Sequence, residues 1–167
     1  MSEEVEDDLT LDDITFRDKT LSEWEKELTV KVPALPTTSL AIQNTVAHLN
    51  NQYQVAYNCY NELMVLYTSA SRTYKSLLDV AIKAKLEQYK ADGVKRAPGK
   101  EVLEALCLED DDGIKLAQDN KTMLGLIRDY FDNNKCKLEK SMQLVLNISF
   151  GVGQSDRMHY KSGDPRS

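Results

Sequence analysis

The sequence predicts an all-α fold built on two long helices that form an antiparallel helical hairpin. Glycine and proline are scarce, seven and four in 167 residues, so turns should be few and elements long. No proline interrupts residues 37–97, and Gly93 is the first glycine. Along this stretch apolar residues recur at alternating steps of four and three. That pattern indicates a helix packed along one seam against another long helix.

The first long helix should run from about residue 39 to 92, which is ~80 Å at 1.5 Å per residue. A helix of that length cannot fold over one small core, so self-association into a homo-oligomer is expected. Tyrosines fill every second position of the seam from residue 53 to residue 74, and we interpret them as packing residues rather than as a platform for unpaired bases. The seam comprises Ile42, Val46, Leu49, Tyr53, Ala56, Tyr60, Leu63, Tyr67, Ala70, Tyr74, Leu77, Ala81 and Ala84.

The segment ahead of this helix is strongly acidic. Residues 1–28 hold eleven acidic and three basic side chains, which predicts an arm that is disordered, or only locally ordered, to about residue 20. Leu21, Trp24 and Leu28 then share one face of a short helix. Residues 29–33 alternate like an extended strand, and two prolines mark a linker to residue 38.

Two helices should follow the first long one. Pro98 suits the first turn of a short connecting helix that ends near Leu108. Apolar residues recur again from Ile114 to about Phe150, which predicts the second long helix. Two glycines at 151 and 153 should end it, leaving residues 151–167 as a flexible tail.

The basic side chains are concentrated in one stretch although the net charge is −6. Residues 72–100 carry eight bases and three acids, between two acidic segments. Such a cluster is either a solvated helix face or a surface that binds phosphates. The candidate nucleic-acid-binding residues are Lys83, Lys85, Lys90, Lys95, Arg96, Arg72, Lys75 and Lys100.

No motif of an enzyme or of a cofactor site is present. The two histidines stand away from cysteines and carboxylates, and the three cysteines lack metal-ligand spacing, so neither metal nor cofactor is expected. No apolar run reaches the ~18 residues that a membrane span needs. We therefore expect a non-enzymatic protein of the cytoplasm, the host cytoplasm if it is phage-encoded, without membrane association.

Residues Val80–Tyr89 read Val-Ala-Ile-Lys-Ala-Lys-Leu-Glu-Gln-Tyr. This segment resembles the Val-Ala-Leu-Lys-Ala-Arg-Leu-Asp-Tyr-Tyr pattern of the UvsY family, the recombination mediators of T-even-like phages. The family's basic pair falls on Lys83 and Lys85. The amino-acid similarity is limited to these ten residues, whereas the order of the predicted helices is similar over about residues 40–150. It implies single-stranded DNA binding, a ring-like homo-oligomer, and loading of a phage recombinase onto strands coated by single-strand-binding protein.

Three functions remain open on sequence grounds. The first is the recombination mediator, with an arm and linker at 1–38, a helical DNA-binding and oligomerisation domain at 39–150, and the tail. The second is a structural coiled-coil adaptor or virion protein without nucleic-acid binding. The third is a helical small subunit of a nucleoprotein effector.

Overall fold

The computed structural model describes residues 10–35 and 37–161, with the side chains of the last helix described up to residue 153. Helices make up 80 % of it, which confirms the prediction of a mainly helical fold. The described residues also contain a two-stranded β-ribbon, which was not predicted. The elements are β1 (Thr15–Phe16), β2 (Lys19–Thr20), α1 (Leu21–Leu28), α2 (Ser39–Ala91), α3 (Lys100–Asp110) and α4 (Asp112–Lys161).

The chain divides into two compact units, which we call the terminal unit (described residues up to 60 and from 130) and the central unit (61–129). The two long helices α2 and α4 pack against each other. In the terminal unit the Tyr53 hydroxyl donates to Glu139, and Lys135 lies over the Tyr60 ring. Because positions rising along α2 meet positions falling along α4, the helices are antiparallel. The long partner that the seam requires is thus supplied by the same chain.

Burial along α2 follows the predicted seam and then departs from it. In the central unit Leu63 and Ala70 are buried, as are their counterparts at seven-residue steps in the terminal unit. Further along, Leu78 is buried while Leu77 is 42 % exposed, so the predicted placement of Leu77 in the seam is wrong. An α-helix drifts about 20° per heptad relative to a strict seven-residue repeat, and this drift brings the neighbouring residue into the core.

The α2 and α4 surfaces approach closely at Gly125. A Cβ on that glycine would lie 3.3 Å from Cε2 of Tyr67. We expect Gly125→Leu to displace the Tyr67 ring and to lower the melting temperature, since overpacking costs about 1–3 kcal/mol. Gly151→Ala is the control: nothing lies within 4 Å of that position, and replacing a helical glycine should stabilise by about 0.5–1 kcal/mol. Thermal unfolding followed by circular dichroism measures both, and equal melting temperatures would contradict the close approach.

The disorder predicted for the acidic arm is wrong for residues 10–20, which are ordered, while residues 1–9 lie outside the described residues. Strands β1 and β2 pair through a two-residue turn in which Arg17 and Asp18 have positive φ angles of 50° and 60°. Such angles characterise the tight turns that suit hairpin twist. Thr20 then caps α1 in a capping box with Glu23, two reciprocal hydrogen bonds that fix where the helix starts.

Helix α1 buries the predicted face, Leu21, Trp24 and Leu28. The indole of Trp24 donates to the Phe16 carbonyl at 2.9 Å, which ties α1 to the β-ribbon. Residues 29–33 form no strand, so that expectation is not met. Residues 10–28 are therefore a folded part of the terminal unit.

The C-terminal boundaries also differ from the predictions. Helix α4 continues through Gly151 and Gly153 to Lys161, so the predicted helix end is wrong. Each glycine costs only about 1 kcal/mol within a helix, and no proline follows until residue 165, outside the described residues. Helix α3 begins two residues after Pro98, with Gly99 as its N-cap.

Candidate nucleic-acid interface

All eight predicted DNA-binding residues lie in the central unit. Seven of them are exposed: Arg72, Lys75, Lys83, Lys90, Lys95, Arg96 and Lys100. The eighth, Lys85, is half-buried. Exposed bases are available to phosphates, whereas a half-buried base is already engaged with protein.

The exposed bases of α2 form one stripe. At 100° per residue Arg72, Lys83 and Lys90 fall within about 20° of each other, and Lys75 lies about 60° to one side. Buried Ala70 lies on the opposite side, about 200° from Arg72, so the stripe faces away from the core. Two acids lie at similar angles: Asp79 falls within about 20° of Arg72, and the exposed Glu87 lies about 60° to the side opposite Lys75. We call Arg72, Lys75, Lys83 and Lys90 the basic stripe.

The stripe leads into the α2–α3 loop, residues 92–99. Gly93 has a φ of +70°, and the Gly93 and Val94 amides donate to the carbonyls of Lys90 and Tyr89. These two bonds make a Schellman motif, which fixes the direction in which the chain leaves the helix. Lys95 and Arg96 follow at once and are exposed. Two further cations therefore stand immediately beyond the end of the stripe.

The predicted pair Lys83 and Lys85 is divided by the structure. The two residues are 200° apart around α2, and Lys85 forms an ion pair with Asp110 of α3. That hydrogen bond raises the pKa of the Lys85 ammonium, against the effect of burial. Lys100 pairs at 3.6 Å with Glu104 on the exposed surface of α3. Only Lys83 of the pair is free of a protein acid among the described residues.

Three bases outside the eight predicted DNA-binding residues contact the tyrosines of α2. In the central unit Arg128 lies 4.2 Å from the Tyr67 ring centroid and Lys121 lies 5.1 Å from that of Tyr74. In the terminal unit Lys135 lies 4.1 Å from that of Tyr60. The seven-residue spacing of these bases in the sequence was the signal that could have found them. Cations on the ring faces favour the interpretation of the tyrosines as packing residues.

Asn134 and Ser141 of α4 form hydrogen bonds with backbone carbonyls of their own helix. The buried Asn134 amide donates to the Tyr130 carbonyl at 2.9 Å, and the Ser141 hydroxyl donates to that of Lys137 at 3.1 Å. Burial raises the pKa of Tyr130 to about 12, and its hydroxyl donates to the Leu21 carbonyl. These contacts belong to the folding of the terminal unit.

An open groove of about 570 Å³ lies between α2 and α4 in the central unit. Its lining is mostly apolar, its polar side chains are Ser69, Thr73 and Asn120, and it carries no titratable group. Residues lining it include Leu66, Ala70, Thr73, Gly113, Leu116 and Ala117.

Two of the three cysteine thiols are buried, and that of Cys136 is exposed. Cys59 and Cys107 are buried, and burial raises the pKa of the Cys107 thiol. Across residues 10–35 and 37–161, no group of three or more His, Cys, Asp or Glu side chains could hold a metal ion. No helix in that part of the chain has the length and apolar character needed to cross a membrane.

Comparisons with protein-family models, with curated proteins and with solved structures found no match for this chain.

Proposed function

We propose that this protein is a homo-oligomeric, single-stranded DNA-binding recombination mediator. One observation carries the proposal: the exposed bases of α2 align on a single face and continue into Lys95 and Arg96 of the loop. The resemblance of Val80–Tyr89 to the UvsY family supplies the biological role, the loading of a phage recombinase onto strands coated by single-strand-binding protein.

The chemistry of the stripe suits a backbone ligand. Lysine and arginine at spaced positions neutralise phosphates and release condensed counterions, which requires no base recognition. Phosphate contacts carry no sequence information, so the preference among sequences should be weak. The acidic segments on either side of residues 72–100 disfavour contacts with DNA, which leaves the basic stripe as the favoured contact surface.

Salt dependence tests the binding. Six exposed bases that pair with no acid among the described residues should give a slope of log affinity against log salt of about −4 per protomer, at about −0.7 per phosphate. Lys83→Ala should reduce the slope by about 0.7 and leave the oligomer unchanged. Fluorescence anisotropy of a labelled oligo-dT measures it. Lys115→Ala, an exposed base of α4 outside the stripe, is the control and should leave the slope as it is.

The proposal would be contradicted if wild type, Lys83→Ala and Lys115→Ala gave the same binding curves. The same holds if the dissociation constants at physiological salt were those of non-specific contact, ~10⁻⁴–10⁻⁶ M.

A structural coiled-coil adaptor is the second candidate. Large apolar side chains on α2 and α4, including Val65, Val80 and Leu116, are exposed, and exposed apolar surface is typical of protein interfaces. The same surface would serve the homo-oligomer of a mediator. Light scattering establishes the oligomer for either function, and the DNA titration separates them.

A further inference from the structure

Two different contacts hold α3 in the central unit. Leu78 of α2, Cys107 of α3 and Ile114 of α4 form a buried apolar cluster. Beside it, Lys85 of α2 pairs with Asp110, the last residue of α3. Apolar contacts are non-directional, whereas a hydrogen-bonded ion pair fixes two atoms relative to each other. The pair therefore adds a directional contact between α2 and the C-terminal end of α3.

The surroundings of Lys85 differ from those of the stripe. Its side chain is 23 % exposed, and the carboxylate of Asp110 neutralises its ammonium. The exposed Lys83 points to the other side of α2. A phosphate approaching the stripe would meet Lys83, while Lys85 would have to leave Asp110 first.

We propose that Lys85 is a positioning residue, whose ion pair with Asp110 holds α3 against α2 and thereby keeps the loop bases Lys95 and Arg96 in line with the basic stripe. Both ends of the loop are then fixed: the Schellman motif at Gly93 secures one and α3 the other. This inference rests on the proposed DNA binding and assigns separate roles to the two lysines of the motif.

The discriminating variant is Asp110→Ala. Removal of an acid near a basic surface should tighten DNA binding by simple electrostatics, whereas loss of the positioning pair should weaken it. We expect an affinity about two- to five-fold lower, the range of an exposed ion pair. Glu109→Ala is the matched control, because it removes the neighbouring exposed acid and leaves Lys85 paired; it should bind at least as tightly as wild type.

Charge reversal completes the test. Lys85→Asp should weaken oligo-dT binding, and the double variant Lys85→Asp/Asp110→Lys should restore it, measured by anisotropy on the full chain. Hydrogen exchange of the α3 amides supplies a readout without DNA: exchange should rise in Lys85→Asp and return in the double variant.

Two outcomes would overturn the inference. One is Asp110→Ala binding tighter than wild type, as Glu109→Ala does. The other is a double variant as weak as Lys85→Asp, which would make Lys85 a phosphate ligand. If the wild-type chain shows no salt-dependent binding, the mediator function fails, and the exchange of α3 amides still decides whether Lys85 holds that helix.

Discussion

Replacing Leu63 by lysine should abolish the folded central unit. Leu63 is 0 % exposed on the side of α2 that faces the core, and a lysine there would bury an ammonium without a partner. Burial of an unpaired charge belongs to the few changes that cost more than about 4 kcal/mol. Circular dichroism should show a large loss of helix at 25 °C and no cooperative transition on heating.

Leu77→Lys is the matched comparison, the same substitution fourteen residues further along the same helix. Leu77 is 42 % exposed, so the ammonium of a lysine there can reach water and the melting temperature should change much less. Because Leu77 belongs to the exposed apolar surface of α2, the proposed homo-oligomer should be weakened, and light scattering should show a smaller assembly. Equal unfolding by both variants would contradict the burial pattern, and an unchanged oligomer would remove Leu77 from the interface.

Phe131→Ala should release the N-terminal elements of the terminal unit. Phe131 is 0 % exposed, and the rings of Phe16, Trp24 and Tyr130 contact it edge-on with centroids 5.3–5.5 Å apart. Removal of a buried phenylalanine costs about 3–5 kcal/mol. Trp24 is the sole tryptophan, so its fluorescence should shift to the red as the indole becomes hydrated.

Phe150→Ala removes the same side chain from an exposed position of α4. It should leave both the Trp24 emission and the melting temperature close to those of wild type. If Phe131→Ala behaved in the same way, residues 10–28 would not depend on α4, and they would act as the acidic appendage that their composition predicts.

Local patterns in the sequence were sufficient to predict where the helices lie. The limits of α2 follow from the absence of proline and glycine and from N-cap residues before Ser39, all of which act within a few residues. The face of α1 follows in the same way from the spacing of Leu21, Trp24 and Leu28. The concentration of bases in residues 72–100 needs no structure either, because the positions of Arg72, Lys83 and Lys90 around a helix are set by 3.6 residues per turn.

Contacts between segments that are distant in the sequence could be identified only from the tertiary structure. The acidic composition of residues 1–20 predicts disorder, yet within residues 10–28 the ribbon and α1 contact the ring of Phe131, which lies more than a hundred residues away on α4. Lys85 looks like an equal partner of Lys83 in the sequence. Only the packing of α3 gives it Asp110, because the free energy of a charged side chain depends on which groups surround it in space.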